Sequence, residues 1–415
     1  MPNERRVVVS GIGAITPIGW GVEGFWSGLK SCRSAVGIIT RFDPSPFKSR
    51  VGAQVNDFDP VEFLGARRAK RLDRCSQLSL SAGKLAVADA ELDLAREDPD
   101  RAGVMMGTAL GGVSLAEAQH ILFLQGGVRA VDPGVALTVF AGASSCNLAI
   151  DFGITGPNIT NGMSCASGAI AIGEAMRAIQ RDEADFMLAG GSEAPLAPLT
   201  FGAFAIIRAM STRNDDPATA SRPFDRGRDG FVMAEGAAVL VLEERQRALA
   251  RGARIYAEVV GYGLTNDAHH MTAPRPDGSQ AGRAMAIALR SAHLTPHEVA
   301  YVNAHGSSTP LNDPTETMAI KRVFGEHASR VTISGTKGYY GHALGASGAI
   351  EAAICSLASQ RRWLPPTVNL EEPDPACDLN YLPGEGSNSD PEFLLSNSFG
   401  FGGINAALVL RRHEA

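Results

Sequence analysis

The sequence predicts a layered α/β protein built from two similar halves. Two observations carry that expectation. Short apolar runs ending in glycine alternate with Ala/Leu-rich stretches at helical spacing, the pattern of strands and helices stacked in layers. Two features also recur along the chain: a hydrophobic run closing in G-x-G (Val7 to Gly13, then Ile255 to Gly263), and the pentapeptide Ala166-Ser167-Gly168-Ala169-Ile170, repeated letter for letter as Ala346 to Ile350. The second half is expected to begin near Arg254, giving segments 1–253 and 254–415.

In chain order, Val7-Val8-Val9 reads as a buried strand and Gly11-Ile12-Gly13 as a tight glycine turn. It is not a dinucleotide fingerprint, because Thr16 stands where a third glycine belongs and Pro17 follows. Arg67, Arg68, Lys70, Arg71 and Arg74 form a dense positive group, readable as a solvated helix face or as a docking patch for an acidic partner. A helical segment (Ser79 to Leu92) and a strand (Gly103 to Gly107) follow, then a turn at Ala109 to Gly112. Ile159-Thr160 leads as a short strand through Asn161-Gly162 into a helix with apolar residues at Ala169, Ile172, Met176 and Ile179, so Cys165 sits where strand hands over to helix. The unpaired N–H groups and positive dipole there are expected to lower the thiol pKa. Phe186 to Ala189 is a strand closing in Gly190-Gly191, and Ala237 to Glu243 another.

In the second half, His305 follows the apolar run Val299 to Val302, Lys337 and His342 flank a Gly-rich turn, and Ser396 to Asn405 is a glycine-packed loop entering a last strand, Ala406 to Leu410. A cysteine with two histidines suggests thiolate chemistry with hydrogen-bonding or acid/base support. Two schemes use it: a cysteine peptidase with His305 oriented by Asn303, or a carbon–carbon bond-forming acyltransferase in which both histidines stabilise an enolate. Lys337 and His342 have no evident role in the peptidase.

Bulk properties exclude several classes. The chain of 415 residues is 45% hydrophobic and 20% charged, an ordinary globular composition, and its net charge of −6 argues against non-specific nucleic-acid binding. Six cysteines show no C-x-x-C pair, which fits a reducing compartment and no structural zinc. The N-terminus, Met1 to Arg6, enters the first strand without the apolar core of a signal peptide, and no window approaches a membrane span, so a cytoplasmic location is expected.

Four motifs in order, S-C-A-S-G around Cys165, N-A-H-G-S-S-T-P-x-N-D from Asn303, G-T-K-x-x-x-G-H-x-L-G-A-S-G from Gly335 and N-S-F-G-F-G-G from Asn397, closely resemble the β-ketoacyl-[acyl carrier protein] synthase II family, with similarity from Arg5 to about Leu410. The resemblance implies a thiolase-like fold, two five-stranded sheets in α-β-α-β-α layers, and a homodimer, with a heterodimer containing a paralogous subunit as the alternative. It implies decarboxylative condensation of acyl- with malonyl-[acyl carrier protein] in fatty-acid elongation, with no cofactor beyond the carrier's phosphopantetheine.

Residue by residue, it makes Cys165 the acyl acceptor, with an oxyanion hole from the N–H groups of Cys165 and Phe401. His305 and His342 would bind the malonyl thioester carbonyl, with Lys337 and Glu351 as supports. Ser307 and Thr309 would bind the pantetheine arm, and Leu110, Asp267, His270, Gly400 and Gly402 would frame the substrate channel. Arg67, Arg68, Lys70 and Arg208 would dock the carrier, and a cation near Asn303, Glu351 and Asn397 is a further family feature. The chain departs from the family at Pro133 to Leu137, where bulky phenylalanines are usual, at Tyr339-Tyr340 and at Ile404. These departures suggest a wider acyl tunnel near the dimer interface, and leave open a specialised ketosynthase of an aryl-polyene or polyketide pathway.

Overall fold

The computed structural model describes residues 5–414; Met1 to Glu4, read above as lacking an apolar leader, lie outside the described residues. Ten strands form the framework: β1 (Val7–Thr16), β2 (Ala102–Gly107), β3 (Asn158–Asn161), β4 (Phe186–Glu193), β5 (Gly236–Glu244), β6 (Ala257–Asn266), β7 (Val299–Asn303), β8 (Thr332–Ser334), β9 (Phe393–Gly400) and β10 (Ile404–Arg412). The helices that matter for the site are α1 (Arg74–Asp89), α2 (Val113–Gly126), α3 (Ser167–Gln180), α4 (Pro198–Ile206), α5 (Ser279–Ser291), α6 (Asn312–Phe324) and α7 (Ser347–Arg361).

The first five strands are ordered β3-β2-β4-β5-β1 and the last five β8-β7-β9-β10-β6. The order matches one for one, and so do the directions. In each set the second strand runs parallel to its two neighbours and the remaining pairs are antiparallel. The two five-stranded sheets join edge to edge where Val7–Val9 pairs with Ala257–Val259. Helices α3 and α7 lie between them, and α1 and α5 cover the outer faces, which gives five layers. Almost every residue of α3 and α7 is buried, as a helix enclosed between two sheets requires.

Both sequence echoes have a packing cause. A Cβ at Gly11 or Gly13 would come within 2.4 Å and 1.9 Å of the α1 carbonyls of Ala86 and Ala82; at Gly261 or Gly263 it would meet the α5 carbonyls of Ala288 and Ala284 at 2.4 and 2.0 Å. Those glycines therefore lie inside strands β1 and β6, pressed against a helix, and do not make the turn expected from the sequence. The repeated pentapeptide marks the crossing of α3 and α7. A Cβ on Gly168 would stand 2.7 Å from Ala349 N, and one on Gly348 2.6 Å from Ala169 N. Each helix thus supplies the small residue its counterpart needs.

Gly190-Gly191 likewise do not end a strand: β4 continues through them to Glu193, with the Cβ space at Gly190 taken by Ala238 O. Among the described residues no helix is long and apolar enough to cross a membrane.

Candidate active site

Cys165 lies on a single turn of 3-10 helix, Ser164–Ala166, between β3 and α3. Ser164 holds a left-handed φ of 49°, the bend that turns the chain from strand to helix. The bend is fastened by Asn161 Nδ2 donating to Ser167 O (3.0 Å) and Ser167 Oγ donating to Ser164 O (2.8 Å). The second half repeats the device: Leu344 has a φ of 41° and a 3-10 turn, Leu344–Ala346, precedes α7. Gly345 there occupies the place Cys165 has in the first half.

The cysteine opens into a pocket of about 340 Å³ shared by both halves. His305, His342, Phe399, Gly400 and Phe401 line it with Cys165, and so do Leu110, Arg208, Asp267, His270, Ser307 and Thr309. Most of the residues singled out from the sequence therefore meet in one cavity. Gly402 does not line it; its N–H donates to Met271 O (2.8 Å), and its φ of 85° turns the chain between β9 and β10. Ser396 to Gly400 belong to β9, so the expected glycine loop shrinks to Phe401-Gly402-Gly403. Arg67, Arg68 and Lys70 do not line the pocket either; Arg68 donates to Asn147 Oδ1 (3.1 Å). Arg74 is drawn inward to Glu235, 2.8 Å away. The segment around Pro133 to Leu137 forms a short surface helix, Val135–Thr138, with Leu137 exposed.

The two imidazoles face one another edge to face, ring centroids 5.3 Å apart. Lys337 Nζ donates to His305 O (2.6 Å), stands 3.4 Å from His305 Nδ1 and pairs with Glu351, every one of these groups buried. An ammonium has only hydrogens to give, so Nδ1 of His305 is an acceptor and its Nε2 carries the hydrogen. His342 Nδ1 stands 2.9 Å from Ser347 Oγ on α7. Burial, reinforced by the Lys337 charge, pushes both histidines well below the ordinary imidazole range, so both are neutral at pH 7.

Burial also overturns the expectation for the thiol. Cys165 is pushed up to about 12 because desolvation outweighs everything that stabilises a thiolate: the Lys337 charge and the N–H groups of Phe401 and of Cys165 itself, both directed at the sulfur. At rest Cys165 is a thiol.

The peptidase scheme fails on geometry. The Asn303 amide reaches Tyr301 and Thr336 (3.5 Å each), not His305, whose Nδ1 faces a cation.

Two carboxylates went unread in the sequence. Glu193, at the end of β4, accepts from the N–H groups of Ala109 (2.6 Å), Leu110 (3.1 Å) and Gly345 (3.0 Å), tying both nucleophile-side turns together. Glu316, on α6, accepts from the N–H groups of His305 (2.8 Å) and Gly306 (2.9 Å) and from Asn397 Nδ2 (3.0 Å). Nothing in sequence separates a helix glutamate that faces inward from one that faces water.

With this geometry in view, comparison with known proteins is decisive. The N-terminal domain of beta-ketoacyl synthases matches residues 4–248, and their C-terminal domain residues 256–371. The chain belongs to the beta-ketoacyl synthase family. It is a condensing acyltransferase. It is 47% identical over 412 residues, 99% of each chain, to a 3-oxoacyl-[acyl-carrier-protein] synthase 2 of Synechocystis sp., and 42% identical, over the whole of both chains, to one of Staphylococcus aureus. Among solved structures, a ketosynthase bound to a hexaketide in complex with its type II polyketide acyl carrier protein superposes with a TM-score of 0.91 at 35% identity, covering 99% of this chain and 100% of that one.

Proposed function

We propose that the enzyme elongates acyl chains on acyl carrier protein by two carbons, with Cys165 carrying the acyl group and His305 and His342 activating malonyl carrier protein. The observation that carries this reading is one pocket holding a buried thiol, two N–H groups aimed at its sulfur and two neutral histidines.

In the first half-reaction Sγ attacks the incoming thioester carbonyl. The C–S bond to the carrier breaks, and the thiol proton ends on the departing pantetheine sulfur. The tetrahedral oxyanion takes over the N–H groups of Cys165 and Phe401, which point at the sulfur beforehand. In the second, the malonyl thioester oxygen accepts hydrogen bonds from Nε2–H of His305 and, with Ser347 donating to Nδ1, of His342. The bond to the carboxylate breaks, carbon dioxide leaves, and the electron pair forms an enolate held by these two donors. Its carbon attacks the acyl carbonyl, the C–S bond breaks, and the Cys165 sulfur leaves as the thiolate and takes a proton from water to restore the thiol. Neutral donors suit this step, since an imidazolium would protonate the enolate it must stabilise.

Ser307 and Thr309, hydroxyls 2.9 Å apart at the pocket wall, would hold the pantetheine arm, and Leu110, Asp267 and His270 its channel. Asn303 Oδ1, Asn397 Oδ1 and Glu351 Oε2 are buried without a hydrogen-bond partner, a donor set that fits an oxygen-ligated cation. It would share the Glu351 carboxylate with Lys337.

The chain is read as two halves, 1–253 and 254–415, working in the cytoplasm as a homodimer. No residue of helix α2 is fully buried, Leu124 on it and Leu137 beside it stand exposed, and Ile150 and Ile159 stand exposed at the free edge strand β3, apolar surface suited to a second copy. Light scattering should give twice the mass of the 43.5 kDa chain.

Intact-mass measurement of Cys165 after incubation with saturated, unsaturated and aryl-conjugated acyl carrier proteins tests the function. Loading of saturated medium chains followed by a two-carbon extension supports elongation. A polyketide reading is favoured by the hexaketide-bound relative, and exclusive loading of poly-β-keto or polyene groups would select it.

A further inference from the structure

On the far side of the C-terminal half, helices α5 and α6 enclose a groove of about 450 Å³ with a mixed lining. Its floor is apolar, from Ala286, Leu289, Leu294 and Val323, with Gly282 between them. Its rim carries three exposed arginines, Arg283, Arg290 and Arg322.

In a chain of net charge −6, three guanidinium groups around one apolar floor stand out. None makes a salt bridge among the described residues; Arg283 reaches Gln280 Oε1 at 3.5 Å and Arg322 the backbone O of Asp277 at 3.4 Å. Of the carboxylates near them, Asp277 pairs with Arg275 (3.2 Å) and feels Arg322 only as a weaker neighbour, and Asp378 pairs with Lys321. Helix α5 itself, SQAGRAMAIALRS, contains no acidic residue. Arg283 and Arg290 are seven residues apart on one face, about 10 Å along the axis. An acidic amphipathic helix with carboxylates two turns apart matches both the charge and the repeat.

The groove is also tied to the reaction pocket. Leu311 and Asn312 line the pocket at the start of α6, while Arg322 and Val323 line the groove near its end, about 15 Å away along the same helix. The reaction takes two carrier proteins in turn through one pocket mouth. We infer that the groove is a second, non-catalytic dock for the acidic carrier protein, holding the incoming carrier while the first occupies the pocket. This rests on the reading that carrier protein delivers both substrates.

The test uses the full-length enzyme with one carrier linked to Cys165 through a thiol-reactive pantetheine arm, titrated calorimetrically with apo carrier protein, which has no arm. One further carrier should bind per chain. Its Kd should rise at least tenfold in the R283A/R290A/R322A variant, and likewise between 50 and 200 mM salt as screening grows. The variant should melt with the parent and load Cys165 at the parent's rate with saturating acyl carrier protein. No binding of a second carrier, or binding that ignores the three substitutions, overturns the inference. So does sodium tripolyphosphate binding at these arginines without competing with carrier, which makes the groove a small-anion site. Failure of Cys165 to react with the arm would instead strike the underlying reading; titration of the unlinked enzyme and its triple variant with apo carrier then decides the groove by the same tenfold criterion.

Discussion

Replacing Lys337 by Met separates the two half-reactions. The ammonium contacts His305 twice, at its carbonyl (2.6 Å) and near Nδ1 (3.4 Å), and pairs with Glu351, all out of water. Met fills the volume but donates nothing, so His305 loses the partner that fixes its ring and keeps the hydrogen on Nε2. A hydrogen bond from a charged donor contributes about 1.5–3 kcal/mol, and each 1.4 kcal/mol is tenfold, so malonyl decarboxylation should fall roughly 10- to 100-fold. Glu351, whose carboxyl burial already raises, takes up a proton once the cation is gone, which limits the stability loss. Acylation of Cys165 loses the Lys337 charge that favours its thiolate but keeps both backbone N–H donors, and should fall less. The pH profile adds a signed readout. The Lys337 charge helps hold His305 neutral, so without it the imidazole protonates at higher pH and the acid limb of decarboxylation moves up. Stopped-flow carbon dioxide release and intact-mass loading measure the two steps. Equal losses in both, or an acid limb that moves down, would refute the assignment.

Cys165→Ala should leave no acyl adduct by mass while malonyl decarboxylation persists, because the two histidines keep their supports. Since burial pushes the Cys165 thiol up to about 12, its alkylation by iodoacetamide should keep accelerating through pH 9 with no plateau near neutrality; Lys337→Met, by removing the cation that favours the thiolate, should slow it further. Glu193→Ala strands the buried N–H of Gly345 and the part-buried N–H groups of Ala109 and Leu110, so urea denaturation should show a loss of about 2–3 kcal/mol, with a raised KM as the Leu110 and Gly345 turns loosen. Gly168→Ala pushes a methyl into the backbone of α7 (2.7 Å to Ala349 N) and should cost about 1–3 kcal/mol in the same assay.

Much of this molecule is written locally. Strand–helix alternation, the duplicated signals and the small residues after Cys165 are short-range features, and each half can be read from its own residues. That Cys165, His305, His342 and Lys337 are candidates for one site was legible because their types and glycine-rich surroundings point to chemistry wherever they lie in space, and folding brings them together. What the glycines do was not legible. Those in β1, β4 and β6 look like turns in sequence, and only the helix or strand pressed against them shows that they make room.

The same limit governs the charged groups. Glu193 and Glu316 look like any other glutamates until folding turns them inward onto backbone N–H groups. The ionisation of Cys165 depends on how much water its neighbours exclude, a sum over both halves, and it reverses the expectation drawn from the helix start alone. Sequence alone determined which atoms could react, because reactivity is a property of residue type. Tertiary structure decided their protonation states and their aim, because desolvation and direction arise only when distant segments close around one pocket.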